Sequence, residues 1–133
     1  ALDTSAGTNF SSMFNGCSSL ASVPALDTSA GTNFSSMFNG CSALASVPAL
    51  DTSAGTSFSN MFNYCSSLAS VELTGCKYSV SVASGVLSSA ALDALYTSLG
   101  TAAGAQTITV TGNYGTTGDT PSIATGKGWT VTG

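Results

Sequence analysis

The chain has no histidine and no arginine, and its cationic side chains are Lys77 and Lys127 alone. Two lysines cannot neutralise a row of phosphates, which excludes a nucleic-acid partner, and they give little hold on an anionic membrane. Without histidine, a serine or cysteine nucleophile lacks its usual base, and zinc lacks its commonest nitrogen ligand. Charged residues make up 6% of the 133 residues, and the net charge is −4. Mean hydropathy is +0.33, yet no apolar run approaches the roughly 18 residues of a membrane span. Alanine and valine are dispersed among serine and threonine, so membrane insertion is not expected.

What the chain has is repetition. Residues 1–24, 25–48 and 49–72 each read ALDTSAGT-x-F-S-x-MFN-x-CS-x-LASV, and the second departs from the first only where Ser19 becomes Ala43. A strict period of this length marks a stacked solenoid, because one such unit cannot bury a core by itself. The apolar positions are Leu2, Phe10, Met13, Phe14, Cys17, Leu20 and Val23, with their counterparts in the later copies. Phe10, Met13, Phe14 and Cys17 have the spacing of a helix face, which predicts a short helix held by neighbouring coils. Leu20 to Val23 predicts a short extended segment ending near Pro24 and Pro48, and Asp-Thr-Ser-Ala-Gly-Thr turns the chain back.

The period breaks after Glu72. Alternation at Tyr78, Val80 and Val82 predicts a strand, and Ser88 or Ser89 is placed to cap a helix running to Leu99, with Gly100 stopping it. Further strands are expected at 107–111 and 129–131, separated by a Gly-rich loop over 112–118 and a short helix from Pro121 to about Thr125. Trp129 is expected to plug that end. The chain thus divides into repeats over 1–72 and degenerate repeats with a cap over 73–133. Ala1 starts in full register with no atypical capping turn, which leads us to expect further coils or a partner subunit against that end.

The words Asp-Thr-Ser…Ser-Ser-Met-Phe-x-x-Cys-Ser-x-Leu at 3–20, 27–44 and 51–68 resemble the BspA-type leucine-rich repeats of bacterial surface proteins. Leu-Asp-Ala-Leu-Tyr-Thr-Ser-Leu and the closing Ile-Ala-Thr-Gly-Lys-Gly-Trp-Thr-Val resemble the C-terminal ends of phage-encoded repeat proteins. The resemblance implies an α/β repeat solenoid of leucine-rich-repeat type, with short strands and short helices. It also implies display on a virion or on a bacterial cell surface, adhesion to a host, and no enzymatic activity. It brings no fixed binding residues.

Three columns recur at the repeat spacing. Cys17, Cys41 and Cys65 read as a ladder of buried, reduced thiols, with Cys76 outside it and a Cys65–Cys76 bond left open. Asp3, Asp27 and Asp51 read as turn caps that bond the following backbone amides; a calcium row is the other chemistry such a column allows. Asn15, Asn39 and Asn63 are expected to bond to one another along the stack through their amides. Asn9 and Asn33 each stand in a glycosylation sequon. No serine has a base beside it in sequence, and Gly112–Gly118 lacks the lysine of a phosphate cradle, so neither catalytic residues nor a metal or cofactor are expected.

Tyr64, Tyr78 and Tyr114 are the aromatic residues expected at the surface, able to stack on sugar rings. The leading expectation is a non-enzymatic structural or attachment module whose partners are other subunits, or a host-surface glycan or protein. The alternatives are a carbohydrate-binding adhesin and, behind it, an ice-binding surface built on the columns Thr4, Thr28, Thr52 and Thr8, Thr32, Thr56.

Overall fold

A computed structural model describes residues 3–133; Leu2, expected in the core, lies outside the described residues. The three copies lie side by side, each bonded to the next at an offset of one repeat. Parallel bridges join Asn9 to Asn33 and Asn33 to Ser57, and a second series joins Ser22, Ser46 and Ser70. Between the first two copies, the N–H groups of Phe10, Ser12, Phe14 and Gly16 donate to the carbonyls of Asn33, Ser35, Met37 and Asn39 at 2.7–2.9 Å. Phe34, Ser36, Phe38 and Gly40 do the same toward Ser57, Ser59, Met61 and Asn63 at 2.8–3.0 Å.

The helix expected over 10–17 does not form. Residues 11–16, 35–40 and 59–64 are successive turns. Ser12, Ser36 and Asn60 have φ of 57°, 55° and 55°, and Gly16, Gly40 and Tyr64 have φ of 77°, 77° and 61°. A left-handed residue at every fourth position interrupts a right-handed helix before one turn is complete. Three-residue bonds such as Met13 N–H to Phe10 O survive, while the alternate N–H groups swing round to point along the stack. The apolar spacing of a helix face therefore serves a wound ribbon whose satisfaction comes from its neighbours.

Phe10, Phe34 and Phe58 stack in one ladder and Phe14, Phe38 and Phe62 in another, with ring centroids 5.4–5.6 Å apart. Met37, Phe38, Cys41 and Leu44 are fully buried, as are Leu68 and Leu73 farther along the stack. Each such side chain contributes on the order of 1.5–3 kcal/mol by leaving water. Gly31 permits this packing, since a Cβ there would stand 2.6 Å from Phe34 Cζ and 2.9 Å from the Phe10 ring.

Beyond the copies, β1 (Leu50–Asp51) pairs in parallel with β2 (Leu73–Thr74). A three-stranded parallel sheet follows in the order β3 (Val80–Ser81), β4 (Gln106–Thr109), β5 (Trp129–Thr132). Helix α1 (Ser89–Ser98) is capped by Ser88, whose Oγ accepts from Ala91 N–H at 3.2 Å, and it buries Leu92, Leu95 and Tyr96. Helix α2 (Ser122–Thr125) follows Pro121, and Tyr114–Thr117 forms a single 3-10 turn within the expected Gly-rich loop. Lys127 Nζ donates to the last carbonyls of α1, those of Tyr96, Thr97 and Leu99, at 3.1, 2.7 and 2.7 Å. Trp129 is 3% exposed and donates from Nε1 to Gly100 O at 2.9 Å. Tyr96 OH donates to Asp119 Oδ2 at 2.6 Å. No helix among the described residues is long and apolar enough to cross a membrane.

Candidate functional site

Most of the chain's polar columns are spent on the frame itself. The Oδ1 atoms of Asp3, Asp27 and Asp51 accept from the N–H of the serine two residues on, at 3.0–3.1 Å, and from its hydroxyl at 2.6–2.7 Å. The serine hydroxyl, then its backbone amide, holds the Asp3 and Asp27 carboxyls below the ordinary aspartate value. Among the described residues no three His, Cys, Asp or Glu side chains gather in a way that could hold a metal ion.

All four cysteines are free, so the Cys65–Cys76 bond is not formed. Cys41 and Cys65 donate from Sγ to Phe14 O and Phe38 O at 3.1 Å, and Cys76 donates to Tyr78 O at 3.3 Å. Burial pushes the Cys65 thiol up to about 12 and the Cys76 thiol up to about 11, which disfavours the nucleophilic thiolate. Cys17, unlike the other three, is exposed.

The asparagine column behaves differently from expectation. The side chains of Asn15, Asn39 and Asn63 make no hydrogen bond among the described residues, and Asn39 Oδ1 is buried without a partner. The axial link passes instead through the backbone, since the carbonyls of Asn39 and Asn63 accept from Gly16 and Gly40. Within the first two copies, Asn9 and Asn33 are the asparagines whose side chains are bonded, each accepting the N–H of the serine two residues on at 3.0 Å. Threonines 4, 28 and 52 donate to the carbonyls of Asp27, Asp51 and Thr74, and Thr28 and Thr52 are buried. Their hydroxyls face the stack and not water.

Regularity ends at the third copy. It differs from both earlier copies at four positions: Ser57 replaces asparagine, Asn60 replaces serine, Tyr64 replaces glycine and Glu72 replaces proline. The first three line two adjoining cavities, of about 480 and 410 Å³, between residues 56–66 and the segment 78–84 that contains β3. Asn60 and Ser81 line both, so the two form one cleft. Their size falls in the usual range for ligand sites. Tyr64 is 73% exposed and holds the left-handed backbone that glycine holds in the other copies. For a bulky side chain that conformation costs on the order of 1–2 kcal/mol. A strained aromatic at the rim of a cleft marks a place where the frame has departed from its own best sequence.

Of the three tyrosines singled out, Tyr64 and Tyr78 meet at this cleft, one in each cavity. Tyr78 is partly buried against the core. Tyr114 is 78% exposed on the 3-10 turn and lines neither cavity. Ser57, Asn60, Ser81 and Gln106 were not picked out by their residue types; for Ser57 and Asn60 the available signal was the third copy's departure from the other two, and for Ser81 and Gln106 there was none. No charged side chain lines the cleft, which offers amides, hydroxyls, ring faces and backbone groups to a neutral ligand.

Neither the curated proteins nor the solved structures contain a match to this chain. A family model described as "Mycoplasma protein of unknown function, DUF285" matches residues 1–84, the span that holds all three copies and both walls of the cleft. The chain belongs to that family, which is associated with BspA-like surface repeat proteins.

Proposed function

We propose that the chain is a non-enzymatic attachment module, an α/β solenoid of leucine-rich type displayed at a bacterial cell or virion surface, whose cleft between the third copy and β3 takes the ligand. The observation that carries this reading is the gathering of Ser57, Asn60 and Tyr64 at one cleft, in a repeat that otherwise keeps almost every residue. Three of the four positions at which the third copy departs from both earlier copies lie at this cleft, where the copy faces β3 instead of another repeat. The lack of any histidine, and the elevated Cys65 and Cys76 thiols, support binding over catalysis.

Carbohydrate binding is the second reading, favoured by the exposed Tyr64 ring beside the Asn60 and Asn63 amides. Ice binding has less support, because Thr28 and Thr52 turn their hydroxyls into the stack.

The test is to screen the intact chain against a glycan array and a displayed library of random short peptides. The same screens are run on a variant carrying Ser57→Asn, Asn60→Ser and Tyr64→Gly together. Those changes restore the residues of the first two copies, so the variant keeps a sequence the frame already accepts. Ligands retained by the native chain and lost by the variant are the expected result. Ligands bound equally by both would place attachment elsewhere and overturn the assignment of this cleft.

A further inference from the structure

The cleft stands where a row of hydrogen bonds between coils is missing. In the first two copies the N–H groups corresponding to Phe58, Asn60, Phe62 and Tyr64 donate to the next copy, as Phe34 N–H does to Ser57 O at 2.9 Å and Ser36 N–H to Ser59 O at 2.8 Å. In the third copy none of the four donates to any acceptor among the described residues, and all four residues line the cleft. The same register would take Phe58 N–H to Ser81 O and Asn60 N–H to Ala83 O. Neither bond forms, and both carbonyls are left without a donor among the described residues.

The fold keeps this row open by tying residues 80–87 to the coil beyond. Val82 N–H donates to Thr109 O at 2.9 Å and Ser84 N–H to Thr111 O at 2.8 Å, so the backbone bonds to β4 run through Val80, Val82 and Ser84, and the residues between them face the third copy. Asn113, 5% exposed, clamps the same segment: its Nδ2 donates to Val82 O and its Oδ1 accepts from Leu87 N–H, both at 2.9 Å. The segment meets the third copy past the cleft, where Val86 N–H donates to Leu68 O at 2.8 Å.

Backbone groups left open in this way take partners from water or from a ligand. An apolar ligand would strip them of water and return nothing. A charged ligand finds no counter-charge among the lining residues. An extended peptide alternates N–H and C=O along each edge, so part of its backbone would set donor against donor and acceptor against acceptor. A hydroxyl both accepts and donates. A ligand carrying several hydroxyls can therefore accept from the N–H groups of one wall and donate to the carbonyls of the other, reproducing the bonds of the water it displaces.

We infer that the cleft takes a short neutral oligosaccharide, whose hydroxyls bridge the Phe58, Asn60 and Phe62 N–H groups to the Ser81 and Ala83 carbonyls while one sugar ring lies on Tyr64. The inference rests on the reading of the cleft as the attachment site and names the class of its ligand. Tyr64 supplies an exposed ring for the C–H face of a sugar. Asn60 lines both cavities, and its amide carries a donor and an acceptor for hydroxyls in either. The uncharged lining directs the site to neutral sugars and away from sialylated or sulfated ones.

Titration of the intact chain with short oligosaccharides of glucose, galactose, mannose and N-acetylglucosamine, followed by NMR of its amides, tests the site. At least one of these sugars is expected to shift the Phe58, Asn60, Phe62 and Tyr64 amides and to slow their hydrogen exchange by about tenfold or more. Deoxy analogues lacking a bridging hydroxyl should bind about tenfold more weakly. Tyr64→Phe keeps the ring and should bind within about threefold of the native chain, whereas Tyr64→Ala should lose about tenfold. Both variants keep a Cβ on the same left-handed backbone, so the comparison isolates the ring. Sugars that bind without moving these amides, or equally well to Tyr64→Ala, would overturn the inference, as would a preference for sialylated or sulfated glycans. A peptide from the displayed library that shifts the four amides when no glycan does would overturn it too, while leaving the attachment reading intact. Failure of every glycan and peptide to perturb the cleft would overturn both.

Discussion

The rings of Phe34 and Phe58 lie 5.4 Å apart with their planes within 1° of parallel. Phe34 has the Phe10 ring on its other face at 5.6 Å, so one side chain supports two inter-copy contacts at 0% exposure. Phe34→Ala is expected to lower stability by about 3–5 kcal/mol, the range for removing a buried phenylalanine. Urea denaturation followed by circular dichroism measures it, and a loss below about 1 kcal/mol would mean that the ladder can collapse around the gap.

Tyr64→Gly should move stability the other way. The native tyrosine sits at φ 61°, where glycine carries no Cβ penalty, and its side chain is mostly in water. A gain of about 1 kcal/mol is expected after the added chain entropy of glycine is subtracted. The same variant should bind cleft ligands more weakly. A variant that is both less stable and unaltered in binding would show that the tyrosine serves the frame.

Lys127 closes the C-terminal end of α1 with three hydrogen bonds to backbone carbonyls. The Tyr96 carbonyl also accepts from Leu99 N–H, while those of Thr97 and Leu99 have no other donor among the described residues, and the ammonium meets the negative end of the helix dipole. Lys127→Met keeps much of the aliphatic stem and removes the donors. The expected loss is about 1.5–3 kcal/mol, the range for hydrogen bonds to a charged group. Thermal unfolding of the two chains at equal pH gives the comparison.

The thiols provide a test of burial and of pH dependence. At neutral pH a maleimide probe should label Cys17 on the native chain and leave Cys41, Cys65 and Cys76 unreacted until the chain is unfolded. In the native state burial keeps the Cys65 and Cys76 protons on to about 12 and about 11, whereas the unfolded chain releases them near the ordinary value of 9.0. The native state therefore holds more protons above pH 9.0, and stability falls as pH rises through that window. Cys65→Ala with Cys76→Ala should flatten that alkaline decline, whatever it does to stability at pH 7; mass spectrometry of the labelled chain and denaturation between pH 8 and pH 11 read the two effects.

The repeat made an offset of 24 residues between bonded partners legible from sequence, and the bridges at Asn9, Asn33 and Ser57 fall at that offset. The cap at Ser88, the helix ending near Leu99, and strands around Ile108 and Trp129 were legible for local reasons: a serine before an amphipathic run, a glycine after it, and alternation at the strands. The aspartate turns were legible too, because a short carboxylate reaches the amide two residues on whatever the rest of the chain does.

The wound ribbon at Phe10–Cys17 was not legible as such. The spacing of its apolar residues is common to a helix and to successive turns, and only neighbouring copies, which accept the displaced N–H groups, decide between them. The asparagine column misled for a related reason: backbone peptides had already taken the axial bonds that its amides were expected to make. Local composition thus determined which residues recur and how each turn is closed. The cleft was decided at the tertiary level, because which segment faces the third copy across it is a property of packing that none of its lining residues carries in its own identity.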